Sequence, residues 1–231
     1  MKILCIGDSL ALPGHDNNYE DTWFYKLEMA FRDFVFISFF KRAITTEILV
    51  TEGGGGVNEP DKGADCLEFY MPDIVILQLG IVDCAPRLIK RKGVFNQVLQ
   101  KTPSKLRGMV FSGLKTVKKR SVENADVSPK EFSNNLQKYL SRCVKSTVKK
   151  VIIIKICTPN EIVKEKSPEI VYAVELYNSI IDELGQKFDI VSIVDPLASN
   201  TKQIFEDGYH PNPDGNHLVF TALQREISNV K

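Results

Sequence analysis

The segment KILCIGDSL, at residues 2–10, joins a short apolar run to a glycine and a serine. Its apolar part, Lys2 to Ile6, is typical of a buried strand that ends in a turn at Gly7. In an open parallel sheet, ligands bind in the crevice at the carboxyl ends of the strands. The sequence therefore predicts that Ser9 lies at such a crevice with its hydroxyl group exposed.

A second segment, IVILQL at residues 74–79, is apolar at nearly every position and is followed by Gly80. Continuous apolar runs of this kind are typical of central parallel strands that helices cover on both faces. Further apolar runs predict strands over residues 34–40, 151–157 and 190–194. Apolar residues at helical spacing predict helices over residues 22–31, 129–148, 169–188 and about 215–227.

The alternation of strands and helices indicates crossover connections between parallel strands. Because such crossovers are right-handed, helices are expected on both faces of the sheet. The length of 231 residues suits a single α/β domain. We therefore predict one domain over residues 1–231, a three-layer α/β/α sandwich built on a five-stranded parallel sheet.

The composition excludes several classes of protein. A net charge of +1 gives no general attraction to nucleic acid or to acidic surfaces. The five cysteines are odd in number and show no CxxC spacing, which favours reduced thiols over a disulfide framework. The first ten residues lack the apolar core of a secretion signal, and no apolar run approaches the ~18 residues of a membrane span. We expect a cytoplasmic protein.

A basic segment separates the third predicted strand from the fourth. Residues 84–120 contain eleven Lys or Arg and no Asp or Glu, which predicts a basic helical insertion at about residues 85–125. Three interpretations stay open: a solvated helical face, recognition of an anionic substrate, or a peripheral membrane contact through residues 87–120. The third rests on apolar residues at 88–99 that alternate with basic ones, as in a basic amphipathic helix. Nucleic acid is not expected as a partner, because the segment has few aromatic residues.

The motif DGYHP, at residues 207–211, places an acid and a histidine three positions apart on a predicted turn. At this spacing the carboxylate of Asp207 can lie beside Nδ1 of His210, which leaves Nε2 free to accept a proton. A serine hydroxyl is a weak nucleophile and needs such a base. We therefore predict that His210 activates Ser9 and that Asp207 orients His210.

Three segments resemble the motifs of the GDSL, or SGNH, hydrolase family: GDSL at residues 7–10, LGIVD at residues 79–83 and DGYHPN at residues 207–212. The resemblance spans nearly the whole chain in the family's order and implies a flavodoxin-like α/β/α sandwich. It also implies cleavage or transfer of acyl esters, with Ser9 as nucleophile and His210 as proton shuttle. No cofactor and no catalytic metal are expected.

The predicted oxyanion hole departs from the family pattern. The family has an Asn that donates to the oxyanion where this chain has Val82, and loss of one such donor costs roughly 10²–10³ in rate. The expected donors are the backbone N–H groups of Ser9 and of the Ala43 region, with the four glycines at residues 53–56 as the alternative to Ala43. A residue from the basic segment is a candidate to complete the hole.

Asp8, Val82, Asp83 and Arg87 are the candidates for substrate contact. An ionised carboxylate would repel an oxyanion, so Asp83 is also expected to anchor a turn or to pair with Arg87. The run at residues 76–87 resembles a subgroup of the family that occurs with bacterial surface-polysaccharide synthesis.

The expected activity is hydrolysis of acyl esters, above all acetyl esters, of a carbohydrate or a polysaccharide precursor. The partner of the protein is then a small-molecule or glycan ester. Two alternatives stay open: transfer of the acyl group to a sugar hydroxyl, and a degenerate domain that binds glycans or partner proteins without catalysis. The sequence does not determine the oligomeric state.

Overall fold

A computed structural model describes residues 1–14, 17–50, 67–90, 93–117, 119–198 and 207–230. Within them, five strands form one parallel sheet. The strands are β1 (Lys2–Gly7), β2 (Val35–Phe40), β3 (Ile74–Gln78), β4 (Lys150–Ile154) and β5 (Val191–Val194). Their order across the sheet is β2-β1-β3-β4-β5, the doubly wound arrangement in which strand order reverses beside β1. The predicted five-stranded parallel sheet is confirmed.

Helices follow the strands on both sides of the sheet, as predicted. The helices are α1 (Trp23–Ala30), α2 (Leu67–Tyr70), α3 (Ile81–Cys84), α4 (Val94–Gln100), α5 (Ser104–Val117), α6 (Pro129–Val144), α7 (Glu161–Lys166), α8 (Ile170–Lys187) and α9 (Pro213–Ser228). Among the described residues, none of these helices is both long enough and apolar enough to cross a membrane.

The sheet separates two apolar cores because successive side chains of a strand point to opposite faces. On one face, Leu4, Ile6 and Val75 pack among buried residues of α6 and α8. On the other face, Ile3 and Cys5 pack among buried residues of α1 and α9. Burial on both faces explains why β1, β3 and β4 are apolar along their length.

The fourth strand is shorter than the predicted segment at residues 151–157. It ends at Ile154, and the side chain of Asn178 in α8 then binds the backbone of Ile156. The Ile156 N–H donates to Oδ1 over 2.9 Å, and Nδ2 donates to the Ile156 carbonyl over 2.8 Å. These bonds replace the sheet ladder and turn the chain away from β4.

The basic segment forms two helices, α4 and α5, between α3 and α6. Its base is closed by an antiparallel bridge in which Arg87 and Ser121 exchange backbone hydrogen bonds of 3.1 and 3.0 Å. We call residues 87–121 the basic insertion. The basic amphipathic pattern at residues 88–99 is helical only from Val94, where α4 begins, since residues 88–90 are not helical.

The turn between β3 and α3 depends on Gly80. Its φ of 125° lies in a region that L side chains rarely adopt. A Cβ atom at this position would lie 2.6 Å from Cδ1 of Ile156. Both constraints hold the end of β3 against the chain that follows β4, and so position the residues at 79–83.

Substitution Gly80→Ala should therefore lower the free energy of unfolding by about 2–4 kcal/mol, from backbone strain and overpacking. Urea denaturation followed by circular dichroism would measure the change. The matched control is Gly108→Ala in α5, where a Cβ atom meets nothing within 4 Å. Because alanine favours a helix over glycine, the control should gain up to about 1 kcal/mol. Equal stability of the two variants would contradict this account.

Candidate active site

Ser9 follows the first strand directly, at the carboxyl edge of the sheet. It begins a short 3₁₀ turn, Ser9–Ala11, whose N-cap is Asp8. Oδ1 of Asp8 accepts a hydrogen bond of 2.9 Å from the N–H of Leu10. The N–H of Asp8 donates to the carbonyl of Gln78 over 3.2 Å, which ties the turn to the end of β3. The serine therefore stands on a turn that is fixed at both ends.

The loop before α9 brings Asp207 and His210 to this serine. Oδ2 of Asp207 lies 2.7 Å from Nδ1 of His210. Nε2 of His210 lies 3.0 Å from Oγ of Ser9. Both distances are within hydrogen-bond range. The structure thus brings together the three side chains predicted from the sequence, although Ser9 and His210 are 201 positions apart.

Contacts on both sides keep the loop at residues 207–211 in this position. Gly208 has a φ of 98°, and its carbonyl accepts a 3.1 Å hydrogen bond from the N–H of Asn160. The carbonyl of Pro211 accepts from the side-chain amides of Asn17 and Asn216, over 2.6 and 3.1 Å. The imidazole is therefore held by a backbone whose polar groups are bound to neighbouring elements.

The environment of Asp207 favours its ionised form. Burial opposes ionisation, but the backbone N–H groups of His210 and Tyr209 and the imidazole donate to the carboxylate and lower its pKa. The side chain is 57% exposed and that of His210 is 29% exposed. A carboxylate in this position accepts from Nδ1–H and so directs the free lone pair of Nε2 towards Ser9.

Asp83 anchors the loop after the second strand. Its Oδ1 accepts hydrogen bonds from the N–H and Oγ1 of Thr46, over 2.9 and 2.5 Å. Nδ2 of Asn135 in α6 donates to Oγ1 of Thr46 over 3.2 Å. Of the two roles expected for Asp83, the structure shows the turn anchor. The expected pairing with Arg87 was wrong, because Arg87 forms a 2.9 Å salt bridge with Asp126.

Asp8 and Asp83 are fully buried, at 0% exposure. Neither side chain is therefore accessible for the predicted contact with substrate. Burial raises the pKa of Asp8 to about 7, and the charge of Asp83 adds to the effect. Burial likewise raises the pKa of Asp83 to about 6, against the hydrogen bonds from Thr46. Among the described residues, Oδ2 of each carboxylate has no hydrogen-bond partner, so burial disfavours the ionised form of both side chains.

Ala43 follows β2 and Val82 follows β3, and these two strands flank β1 in the sheet. Ala43 has a φ of 58°, a left-handed conformation that a non-glycine residue adopts only at some cost. Val82 is buried in the short helix α3. The alternative to Ala43, the glycines at residues 53–56, lies outside the described residues.

A mainly apolar cavity of about 20 Å³ is lined by sequence neighbours of Ser9 and His210 but not by these two residues themselves. Its lining includes the residue after Ser9, the residues on either side of His210, and the ends of β3 and β4. Those residues include Leu10, Leu79, Ile156, Leu197, Tyr209 and Pro211. A volume of this size is close to that of one or two small heavy-atom groups. In the described parts of the chain, no group of three His, Cys, Asp or Glu side chains is placed to hold a metal ion.

The sequence analysis did not identify the buried polar residues that lie behind the site. Thr46 donates to Asp83 and Asn135 donates to Thr46. Gln78 accepts a 2.9 Å hydrogen bond from Nε1 of the buried Trp23. One signal was available for Asn135, a polar residue at an inward position among the apolar residues of α6. Nothing in the sequence pattern indicated the partners of Thr46 or Gln78.

The chain is similar to a known family and to solved structures over nearly its whole length. The family model described as GDSL-like Lipase/Acylhydrolase matches residues 3–223. The crystal structure of TesA is similar to this chain, with a TM-score of 0.62, 14% identity and coverage of 98% of each chain. Esterase EstA from Pseudoalteromonas sp., inhibited by monoethylphosphonate, has a TM-score of 0.55 at 16% identity and covers 99% of each chain.

A mutant of Axe2, an acetyl-xylooligosaccharide esterase from Geobacillus stearmophilus, has a TM-score of 0.60 at 14% identity, over 100% of this chain and 94% of that chain. At these identities the likeness to solved structures shows a shared fold. No curated protein matches this sequence at a significant level.

The buried carboxylates predict an unusual dependence of stability on pH. The folded chain holds the proton of Asp8 up to a pH of about 7, whereas the unfolded chain releases it near pH ~4. The folded state therefore binds more protons in this window, and the free energy of unfolding should fall as pH rises through it. From Asp8 alone, the fall between pH ~5 and pH ~8 should be about 2 kcal/mol.

Urea denaturation across this pH range would test the point with two variants. Asp8→Asn keeps an acceptor for Leu10 but cannot ionise, so the fall in stability should become smaller. The matched control is Asp33→Asn, at an exposed position, which should retain the full dependence. An unchanged pH dependence in Asp8→Asn would show that Asp8 does not titrate in this window.

Proposed function

The chain belongs to the GDSL-like lipase/acylhydrolase family and is a carboxylic ester hydrolase, and on this basis we propose that Ser9, His210 and Asp207 are its catalytic triad. The observation that carries the proposal is the chain of hydrogen bonds from Oγ of Ser9 through His210 to Asp207, at 3.0 and 2.7 Å. A hydroxyl, a base and an orienting acid in this order are the groups that acyl transfer requires.

The reaction proceeds in two halves. Oγ of Ser9 attacks the ester carbonyl carbon while Nε2 of His210 takes the hydroxyl proton. When the tetrahedral intermediate collapses, the bond to the alcohol oxygen breaks and His210 returns the proton to that oxygen. Water then attacks the acyl-enzyme, again with His210 as base, and the acid leaves with Ser9 restored. Asp207 keeps the imidazole in the tautomer that both halves need.

Backbone N–H groups stabilise the oxyanion in this proposal. Ser9 and Ala43 supply them, since β1 and β2 are neighbouring parallel strands that end at the same edge of the sheet. The left-handed φ of Ala43 supports a special role for its backbone, because strain of this kind clusters at functional sites. The loop is braced from inside by the hydrogen bonds between Asp83 and Thr46.

The proposed substrate is a short-chain acyl ester, above all an acetyl ester, of a carbohydrate. The small size of the cavity lined by Leu10, Tyr209 and Pro211, about 20 Å³, supports a small acyl group. The shared fold with an acetyl-xylooligosaccharide esterase is consistent with a carbohydrate alcohol. Similarity of residues 76–87 to a subgroup found with bacterial polysaccharide synthesis leads us to propose a polysaccharide precursor as the acyl carrier.

A fluorophosphonate probe tests the nucleophile directly. We expect covalent labelling of one peptide, the one that contains Ser9, and loss of labelling in Ser9→Ala and His210→Ala. The control is Ser112→Ala, at an exposed serine in α5, which should be labelled like the unmodified protein. Labelling that persists in Ser9→Ala would overturn the assignment, and no labelling of the folded protein would favour a binding domain without catalysis.

Acetate release from an activated ester, with and without sugar acceptors, distinguishes hydrolysis from transfer. Hydrolysis predicts release of acetate at a rate that the acceptors do not change. Recovery of acetylated sugar in place of acetate would identify an acyltransferase that uses the same Ser9 acyl-enzyme.

Substitution of Val82 tests the incomplete oxyanion hole. Val82→Asn adds a side-chain donor, so kcat should stay the same or rise, by up to about 10²-fold if the missing donor limits the rate. The control Val82→Ala adds no donor and should show no gain. Steady-state kinetics with an activated acetyl ester would measure both variants. A collapse of activity in Val82→Asn with the fold preserved would mean that Val82 has a role of its own.

A further inference from the structure

The basic insertion concentrates positive charge in one part of a nearly neutral protein. All 29 Asp and Glu residues lie outside residues 84–120, which carry eleven Lys or Arg. In the described part of the insertion, lysine side chains face solvent. They are Lys90, Lys101, Lys105 and Lys119. Although the net charge of the chain is +1, positive charge is concentrated in residues 84–120, and all the acidic residues lie elsewhere.

Large apolar side chains are exposed on the same two helices. Phe95 and Val98 in α4 are 53% and 60% exposed, and Leu106 and Met109 in α5 are 51% and 72% exposed. In each helix the two residues are three positions apart, which places them on one face. Lys101 and Lys105 lie between the two pairs in the sequence. Apolar and cationic side chains thus share the outer surface of the insertion.

The insertion also lies beside the proposed catalytic site. It follows α3 at the carboxyl edge of the sheet, and its base is closed by the bridge between Arg87 and Ser121. The charges of Arg120 and Arg87 act on Tyr209, the residue next to His210. A surface bound by the insertion would therefore adjoin the entrance to the crevice.

We propose that the basic insertion binds anionic phospholipid surfaces, with its exposed apolar side chains in the headgroup region and its lysines on lipid phosphates. Binding of a soluble polyanion would need only the lysines. Binding of a neutral protein surface would need only the exposed apolar residues. An anionic bilayer surface matches both. The proposal goes beyond the ester hydrolysis proposed above and is independent of it.

Contact of this kind would orient the enzyme at a bilayer. The crevice that contains Ser9 and His210 then faces esters that are anchored in, or assembled on, the same surface. The chemistry of such a substrate is an acyl ester on a lipid-linked or surface-attached alcohol. The expected gain is a higher local concentration of substrate, with no change in the triad.

Vesicle co-sedimentation of the full-length chain tests the proposal. The Ser9→Ala variant is used so that no lipid is hydrolysed, which keeps this test separate from that of the esterase activity. Phosphatidylcholine vesicles serve as the neutral surface, and vesicles that also contain phosphatidylglycerol as the anionic one. We expect binding to the anionic vesicles alone, and a marked decrease of binding as salt screens the charges. Equal binding to both vesicles, or to neither, overturns the proposal.

Two sets of lysine substitutions locate the charged contact. The test set lies in the insertion and comprises Lys101→Gln, Lys105→Gln and Lys119→Gln. The control set lies at exposed positions in or beside α6 and comprises Lys130→Gln, Lys138→Gln and Lys145→Gln. Each lysine near an anionic surface contributes roughly a fivefold effect, so the test set should weaken binding about 100-fold. Equal weakening by both sets overturns the proposed location.

The apolar contact separates a lipid surface from a general polyanion site. Phe95→Ser with Met109→Ser should weaken vesicle binding by at least about tenfold. Ile162→Ser with Tyr172→Ser, exposed at 54% and 60%, should have no effect. Heparin is the competing polyanion. If heparin binding matches vesicle binding and the Phe95 and Met109 substitutions leave vesicle binding intact, the insertion is a polyanion site and the lipid proposal fails.

Discussion

The position of β1 between β2 and β3 determines which loops meet at the crevice. Residues Lys2 to Gly7 pair with Val35 to Phe40 on one side, and Ile3 to Gly7 pair with Ile74 to Gln78 on the other. Because all three strands are parallel, they end at the same edge of the sheet. The nucleophile candidate thus lies between the loop that carries Ala43 and the loop that carries Val82. Strand pairing alone therefore brings these segments to one edge of the sheet.

Buried polar groups then fix this edge of the sheet from inside. Asp83 joins the loop after β3 to Thr46 in the loop after β2, and Asp8 caps the turn that carries Ser9. Burial of two carboxylates has an energetic cost unless they hold protons or receive hydrogen bonds. The raised pKa values of Asp8, about 7, and of Asp83, about 6, reflect that cost. The arrangement gives up some stability near neutral pH and ties Thr46, after β2, to Asp83, after β3.

The basic insertion and the proposed triad lie at the same edge of the sheet but differ in the kind of contact that each can make. The proposed triad needs short, directed hydrogen bonds, and the loop at residues 207–211 is tied to Asn160, Asn17 and Asn216. The insertion exposes long cationic and apolar side chains, which suits contact with a broad anionic surface. This difference fits a protein in which one part reacts with an ester and a neighbouring part holds the surface where that ester is found.

The amino-acid sequence was sufficient for the sheet, the main helices and the three residues of the proposed triad. Those features depend on local patterns: apolar runs, helical spacing, and short motifs at the ends of strands. The contacts of Asp83, the salt bridge of Arg87 with Asp126 and the left-handed backbone of Ala43 needed the folded chain. The reason is that a buried charge selects its partner by distance and desolvation, and both are set by how loops from remote parts of the chain come together.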